Sequence, residues 1–252
     1  ICPSATDLDL EAITEGFTAL YPDVNIEIIT CSAGEGVARV EAEGDNPTID
    51  VFYSGLNQAD GDKYAGIFEN YVSSHDSELP EEYQSNNGFY NYDHLSSVVF
   101  CVNTDLEAEL GIEINSYADL LNPALNGKVI ISDPTSSSAA WNNLSNIFAV
   151  YGNDSDEAWA QIEGMLQNGL IVVGSSSACF KSVQQGEYVV GLTYEDGAIT
   201  LVKDGATNIE VRYPSNGTSA SVFGCGLVKN GPNPENAKVY GDLYKLYLAV
   251  RQ

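Results

Sequence analysis

Basic residues are scarce in this chain. Lys and Arg number 10 in 252 residues against 36 Asp and Glu, for a formal net charge of −26. A field of that sign repels nucleic acid and anionic membrane, so neither is an expected partner. The acids are spread along the chain. The charge therefore reads first as solubility or a saline habitat, and only second as an attraction for cationic solutes. Histidine is nearly absent: His75 and His94 are the two present, both in an irregular stretch, and a catalytic imidazole is a poor expectation. No apolar run approaches the roughly 18 residues needed to cross a bilayer. The five cysteines, Cys2, Cys31, Cys101, Cys179 and Cys225, contain no pair spaced by two residues, so zinc-site spacing is missing. A glycine-rich phosphate loop ending in Gly-Lys-Ser/Thr is absent, as are internal repeats and any low-complexity run beyond serine triplets. The chain opens at Ile1-Cys2 with neither initiator Met nor signal segment, as expected of a processed or trimmed N-terminus.

What is present is globular. The 44% hydrophobic and 10% aromatic fractions fit one or two compact units with a sizeable core. Strand-like runs cover Val24–Thr30, Ile49–Tyr53, Ser96–Asn103, Lys128–Ser132, Leu170–Gly174, Tyr188–Thr193, Asn208–Tyr213 and Val222–Val228. Helical 3.6-residue spacing links Leu10, Ile13, Phe17 and Leu20; Trp141, Leu144, Ile147 and Phe148; Trp159, Ile162 and Leu166; and Ala237, Tyr240, Leu243, Leu246 and Tyr247. Trp141 falls on an apolar helical face and is expected in the core. The alternation predicts an α/β fold with largely parallel sheets. Asn70–Asp93 has no clear period and reads as an irregular surface excursion. Cys2 with Cys31 and Cys101 with Cys225 are two pairs open to disulfide formation; buried thiols are the equal alternative. Cys179 is left over.

One local pattern recurs: a strand, then small hydroxyl residues and glycine, then a helix. Cys31-Ser32-Ala33-Gly34-Glu35, Ser132-Asp133-Pro134-Thr135-Ser136-Ser137-Ser138 and Gly174-Ser175-Ser176-Ser177 all follow apolar strand runs. Each places backbone N–H groups, hydroxyls and the positive end of a helix dipole at a strand's carboxyl end. That arrangement suits binding more than catalysis. A nucleophile elbow at Gly174–Ala178 fails on two counts: Ala178 replaces the second glycine, and both histidines lie upstream instead of downstream. The partial dinucleotide fingerprint Gly34–Arg39 carries Arg39 where its third glycine belongs. Tyr194-Glu195-Asp196 closes a strand, and its acids equally suit the first turn of a helix.

The stretch from Gly174 to Ser219, with Gly-Glu-Tyr at 186–188, Thr-Tyr-Glu-Asp at 193–196 and Val-Arg-Tyr-Pro-Ser-Asn-Gly-Thr-Ser at 211–219, strongly resembles the solute-binding proteins of ABC importers. The branch is the ferric-ion-binding-like one, which also holds phosphonate and hexose-phosphate binders. Asn126–Lys128 through Ala139, and Cys31–Asp50, match the same family. The resemblance implies a periplasmic-binding-protein type 2 fold: two α/β lobes, two hinge strands, and a ligand cleft between the lobes. Lobe 1 would cover 1–100 plus 227–252 and lobe 2 103–222, with hinges near 99–103 and 221–227. Ferric members use adjacent tyrosines near Tyr194; here Thr193 and Glu195 flank it, which breaks that pair.

The expectation is therefore an extracytoplasmic receptor, periplasmic or a cell-surface lipoprotein. It would be monomeric, without cofactor or catalysis, and would deliver a small phosphorylated or phosphonate compound to a membrane permease. Candidate donors to the anion are Ser4, Ser32, Ser136, Ser137, Ser176 and Ser177, with Gly34, Ser54, Ser138 and Ser175 as further ligand-binding residues. Glu195 and Asp196 would take hydroxyls or an amine, and Tyr53 and Tyr194 would give stacking or hydrogen bonds. The alternatives are ferric ion on Tyr194, Glu195 and Glu35; a cationic amine or thiamine-type ligand; and, from another class, a phosphate-ester hydrolase.

Overall fold

The structure, a computed structural model, describes residues 7–249. Its elements in chain order are α1 (Asp7–Leu20), α2 (Ala33–Glu43), β1 (Val51–Asn57), α3 (Gln58–Lys63), β2 (Asn91–Asn103), α4 (Thr104–Leu110), β3 (Val129–Ser132), α5 (Ser138–Tyr151), α6 (Asp156–Gln167), β4 (Ile171–Val173), α7 (Ser176–Gln184), β5 (Val190–Tyr194), α8 (Glu195–Lys203), β6 (Ile209–Arg212), β7 (Ala220–Leu227) and α9 (Pro234–Ala249). The chain divides into two compact units, Ile1–Leu95 with Val222–Gln252 and Ser96–Ser221. It passes from one to the other along β2 and returns along β7.

In the second unit the strand order is β6-β2-β5-β3-β4. β3 pairs in parallel with both β4 and β5, and β2 pairs antiparallel with β5 and β6. The sheet is thus mixed, not largely parallel. The reason is local: β6 and β5 both run against the long crossing strand β2, and the only described parallel ladders are those of β3. Val129-Ile130-Ile131-Ser132 is buried at every position, as a strand covered on both faces must be. One face packs Val129, Ile131, Val190 and Leu192 under α5 and α6. The other packs Val99, Cys101 and Ile130 under α7 and α8. Gly191 lets α7 sit close: a Cβ there would come within 2.7 Å of the Cys179 carbonyl oxygen.

Trp141 is 59% exposed, against expectation. α5 turns Ala140, Asn143, Asn146 and Ile147 inward, and Trp141 lies roughly 100° round from Ala140. Two asparagines can occupy the buried face because their amides find partners. Asn143 Nδ2 donates to the Ala139 and Thr193 carbonyls at 2.9 and 3.1 Å. Asn146 Nδ2 donates to Tyr117 Oη and the Gly217 carbonyl at 2.8 and 3.1 Å. Trp159 is exposed as well, with its ring edge-on to Phe148 at 5.0 Å.

In the first unit β1 and β7 pair antiparallel, and Phe17 of α1 meets Tyr240 of α9 at 5.4 Å. The expected strand Val24–Thr30 carries no ladder. No described strand pairs with it, and it forms one wall of a cavity of about 450 Å³ shared with α1, β1 and the start of α9. The Asn70–Asp93 stretch is irregular but not superficial. Tyr90 and Tyr92 are fully buried, and Tyr90 Oη donates to the Leu56 and Gly224 carbonyls at 2.9 and 2.5 Å. Aromatic plugs entering from turns bury apolar surface without any period.

Cys101 and Cys179 are buried free thiols of the second unit, and burial pushes both up to about 12. A Cys101–Cys225 disulfide is therefore not formed. Cys31 is also a free thiol, and Cys2 lies outside the described residues.

Arg212 ends β6 in a half-buried fork. Its two terminal nitrogens reach Glu107 at 2.5 and 2.8 Å, the Ile114 carbonyl at 3.0 Å and Glu210 at 2.7 Å. Removing the guanidinium leaves Glu107 buried beside an empty space. Arg212→Ala is expected to lower unfolding free energy by about 3 kcal/mol, and Arg212→Ala with Glu107→Gln to recover part of it, both read by urea denaturation.

Candidate functional site

Because β3, β4 and β5 are parallel, they end on one edge of the second unit's sheet, and α5, α7 and α8 all begin there. The three starts differ in how their backbone donors are satisfied. α5 is closed by its own loop. Ser137 at the N-cap accepts from Ala140 N at 3.3 Å and from Ser132 Oγ at 3.0 Å. Asp133 accepts from Thr135 N and Oγ1 at 2.8 and 2.7 Å, and the Thr135 hydroxyl and amide hold its carboxyl below the usual range. The Ser136 and Ser137 amides donate to the Asp133 carbonyl at 3.2 and 2.9 Å.

α7 is open. Ser175 stands at its N-cap in extended conformation (φ −119°, ψ 129°) but its side chain makes no capping bond, and of the first amides Ala178 N donates to the Ser175 carbonyl at 3.2 Å. The Ser175 hydroxyl pairs instead with Ser177 Oγ at 3.0 Å. The first turn carries no acid, so nothing in the helix itself neutralises the dipole. Gly174 faces open space. α7 runs back over β5 with Cys179 above Gly191. Thr193, two residues beyond Gly191 in β5, shares that face of the sheet and lies towards the edge where α7 starts. Thr193 is 2% exposed, and its Oγ1 has no hydrogen-bond partner among the described residues, as is also true of Asn143 Oδ1. A buried orphan hydroxyl is costly enough to require a reason.

α8 begins at Tyr194, an aromatic residue that gives no capping bond, and its first turn carries Glu195 and Asp196. Both acids have partners: Tyr213 Oη donates to Glu195 Oε1 at 2.5 Å, and Ser96 Oγ donates to Asp196 Oδ1 at 2.5 Å. The Tyr194 ring is buried, edge-on to Phe180 at 5.6 Å, and pressed against Gly197.

The structure thus brings Ser136, Ser137, Ser175, Ser176, Ser177, Glu195 and Asp196 to one sheet edge, with Ser138 in the first turn of α5. In the first unit Ser32, Gly34 and Glu35 stand at the start of α2 in a closed capping box. Ser32 N and Oγ donate to Glu35 Oε2 at 2.9 and 2.8 Å, and Glu35 N donates back to Ser32 Oγ at 3.3 Å. Those donors, the Ser32 amide first, lower the Glu35 carboxyl. Tyr53 is buried with Leu10 and Cys225. Ser54 lies on β1 and its side chain is not described, and Ser4 falls outside the described residues. Sequence reasoning missed Thr193, Ser96 and Tyr213. A hydroxyl interrupting the apolar run Val190–Leu192 was the one available signal for Thr193. The other two act through partners 100 and 18 residues away. Among the described residues no group of three His, Cys, Asp or Glu is placed to hold a metal, and no helix is long and apolar enough to cross a membrane.

Residues 12–241 match the family described as bacterial extracellular solute-binding protein. An uncharacterized protein of Haemophilus influenzae is 30% identical over 95% of this chain and 70% of its own length. The iron uptake protein A1 of a Synechocystis species is 28% identical over 85% of this chain and 62% of its own. The periplasmic binding protein AfuA of Actinobacillus pleuropneumoniae, solved with exogenous fructose-6-phosphate bound, superposes with a TM-score of 0.85 at 26% identity, over 97% of this chain and 77% of that one. Similar solved proteins of this kind are two-lobed binding proteins, not enzymes. The chain belongs to the bacterial extracellular solute-binding proteins of ABC importers, in the branch of the periplasmic type 2 fold that holds AfuA and the ferric-ion binders.

Proposed function

We propose that this protein captures a small phosphorylated or phosphonate compound, with the anion seated at the start of α7, and hands it to a membrane permease as an extracytoplasmic monomer. One observation carries the reading: α7 opens with no side-chain cap over its Ser176 and Ser177 amides, a hydroxyl-rich first turn and no acid, at the edge towards which the unpartnered Thr193 hydroxyl lies on the same face of β5 as Gly191. Oxyanions need several convergent donors, and a helix start supplies them without a cation. The neighbouring start of α8 is chemically opposite. Glu195 and Asp196 there accept hydrogen bonds, so the other end of the ligand carries hydroxyls or an amine. A sugar phosphate or an aminophosphonate has both ends. AfuA, with its bound sugar phosphate, supports the same class.

Ferric ion is the second reading, favoured by the iron uptake relative. Weighing against it, Glu35 is closed in a capping box, Glu195 is held by Tyr213, and the Tyr194 ring is packed in the core.

Calorimetric titration with fructose 6-phosphate and 2-aminoethylphosphonate is expected to give saturable binding by at least one of them, while Fe(III) gives no tyrosinate absorption band; the band without binding of either phosphorus compound would reverse the choice. Ser176→Pro removes one N–H and one hydroxyl at the first position of α7, where proline is tolerated and the preceding residue is already extended. It is expected to leave the melting temperature near wild type and weaken binding by about tenfold or more, the loss of a charge-assisted bond. Ser137→Ala is expected to show the reverse pattern: loss of about 1 kcal/mol of stability with the α5 cap and little change in affinity. Salt separates the two ligand classes again. In a −26 field an anion's association rate rises with ionic strength as repulsion is screened, whereas a cation's falls. Stopped-flow rates between low and physiological salt decide between them.

A further inference from the structure

We propose that Tyr213 is a positioning residue of the ligand site: its phenol fixes the Glu195 carboxylate at the start of α8 in the orientation that receives the ligand's hydroxyl or amine end. The inference rests on the α7–α8 edge being the ligand site.

Tyr213 follows the last residue of β6, and its backbone is clamped from both sides. Before it, Arg212 is locked by Glu107, Glu210 and the Ile114 carbonyl. After it, Pro214 is buried and Ser215 N donates to the Asn115 carbonyl at 2.7 Å. Yet the side chain is 48% exposed. It leaves a rigid anchor to place its hydroxyl 2.5 Å from Glu195 Oε1. The carboxylate pushes the phenol up to about 12, so Tyr213 stays a donor at any physiological pH.

Stability does not require this bond. Half-exposed polar pairs contribute little to folding. A carboxylate in a first helical turn complements the dipole from any rotamer. What the bond does supply is a single orientation. An ionised carboxylate has about four acceptor positions; Tyr213 takes one, and the remaining ones are held in fixed directions. The second acid of the pair is engaged elsewhere, since Asp196 accepts from Ser96 at 2.5 Å. Glu195 is thus the acid whose direction is set from the solvent side, and the exposed Tyr213 ring beside it offers an apolar face to ligand C–H groups.

The test is a double-mutant cycle by calorimetry on the full chain, using whichever of fructose 6-phosphate and 2-aminoethylphosphonate the wild type binds more tightly. Tyr213→Phe is expected to weaken binding by about tenfold with no loss of melting temperature, and to have no further effect once Glu195→Gln is present. That silence in the Glu195→Gln background separates positioning through Glu195 from a merely structural role. Unchanged affinity in Tyr213→Phe overturns the proposal, and so does a full additive loss in the double variant, which would mean Tyr213 acts on its own. A wild type that binds neither compound overturns the function reading and this proposal together, a result distinct from a wild type that binds while its Tyr213→Phe variant binds equally well.

Discussion

Three parallel strands that end together impose the constraint on which the rest depends. Once β3, β4 and β5 share an edge, every helix that follows must begin at that edge, and its first amides must find acceptors there. α5 solves this locally with Ser137 and the Asp133–Thr135 turn. α8 partly solves it with acidic residues. α7 leaves its first two amides without a cap, and Thr193, on the same strand face as Gly191, adds an unsatisfied donor towards that edge. Donors left unpaired within a well-packed unit are a cost that the proposed anion would remove.

The electrostatics give this edge a direction. The overall charge of −26 disfavours any anion at long range. A local cluster of oriented N–H and O–H dipoles acts over a few ångströms, where screening by salt matters little. On the proposed reading, selectivity would come from contrast between neighbours: a donor-rich start at α7 beside an acceptor-rich start at α8. A ligand with one oxyanion and several hydroxyls or an amine fits both, whereas a bare anion fits one.

Much of this was legible in the chain. The apolar runs located the strands of the second unit, and the 3.6-period segments located α5 and α6; α7 and α8 were legible only from their starts, and α4 was not read. The Gly174–Ser177 and Ser132–Ser138 turns were readable as helix starts because serine, glycine and proline there have few other uses. Other features were not readable, for physical reasons. Val24–Thr30 has strand composition, yet a strand exists only when a partner edge pairs with it. Trp141 looked buried because hydrophobicity alone cannot foresee that Asn143 and Asn146 find carbonyl partners inside. Tyr90 and Tyr92 carry the first unit's core from a segment without periodicity. At the site, Ser136 and Ser137 looked alike in sequence, but one hydroxyl caps a helix. Tyr213 gave no signal at all, since its meaning lies in a partner on another element.

The central claim is that an anion is held by the opening amides of α7. Amide-resolved ¹H–¹⁵N NMR during titration with fructose 6-phosphate and 2-aminoethylphosphonate tests it directly. The account predicts that the bound compound moves the Ser176 and Ser177 amide protons downfield more than any others of the second unit. Saturable binding that leaves those two amides unmoved would contradict it.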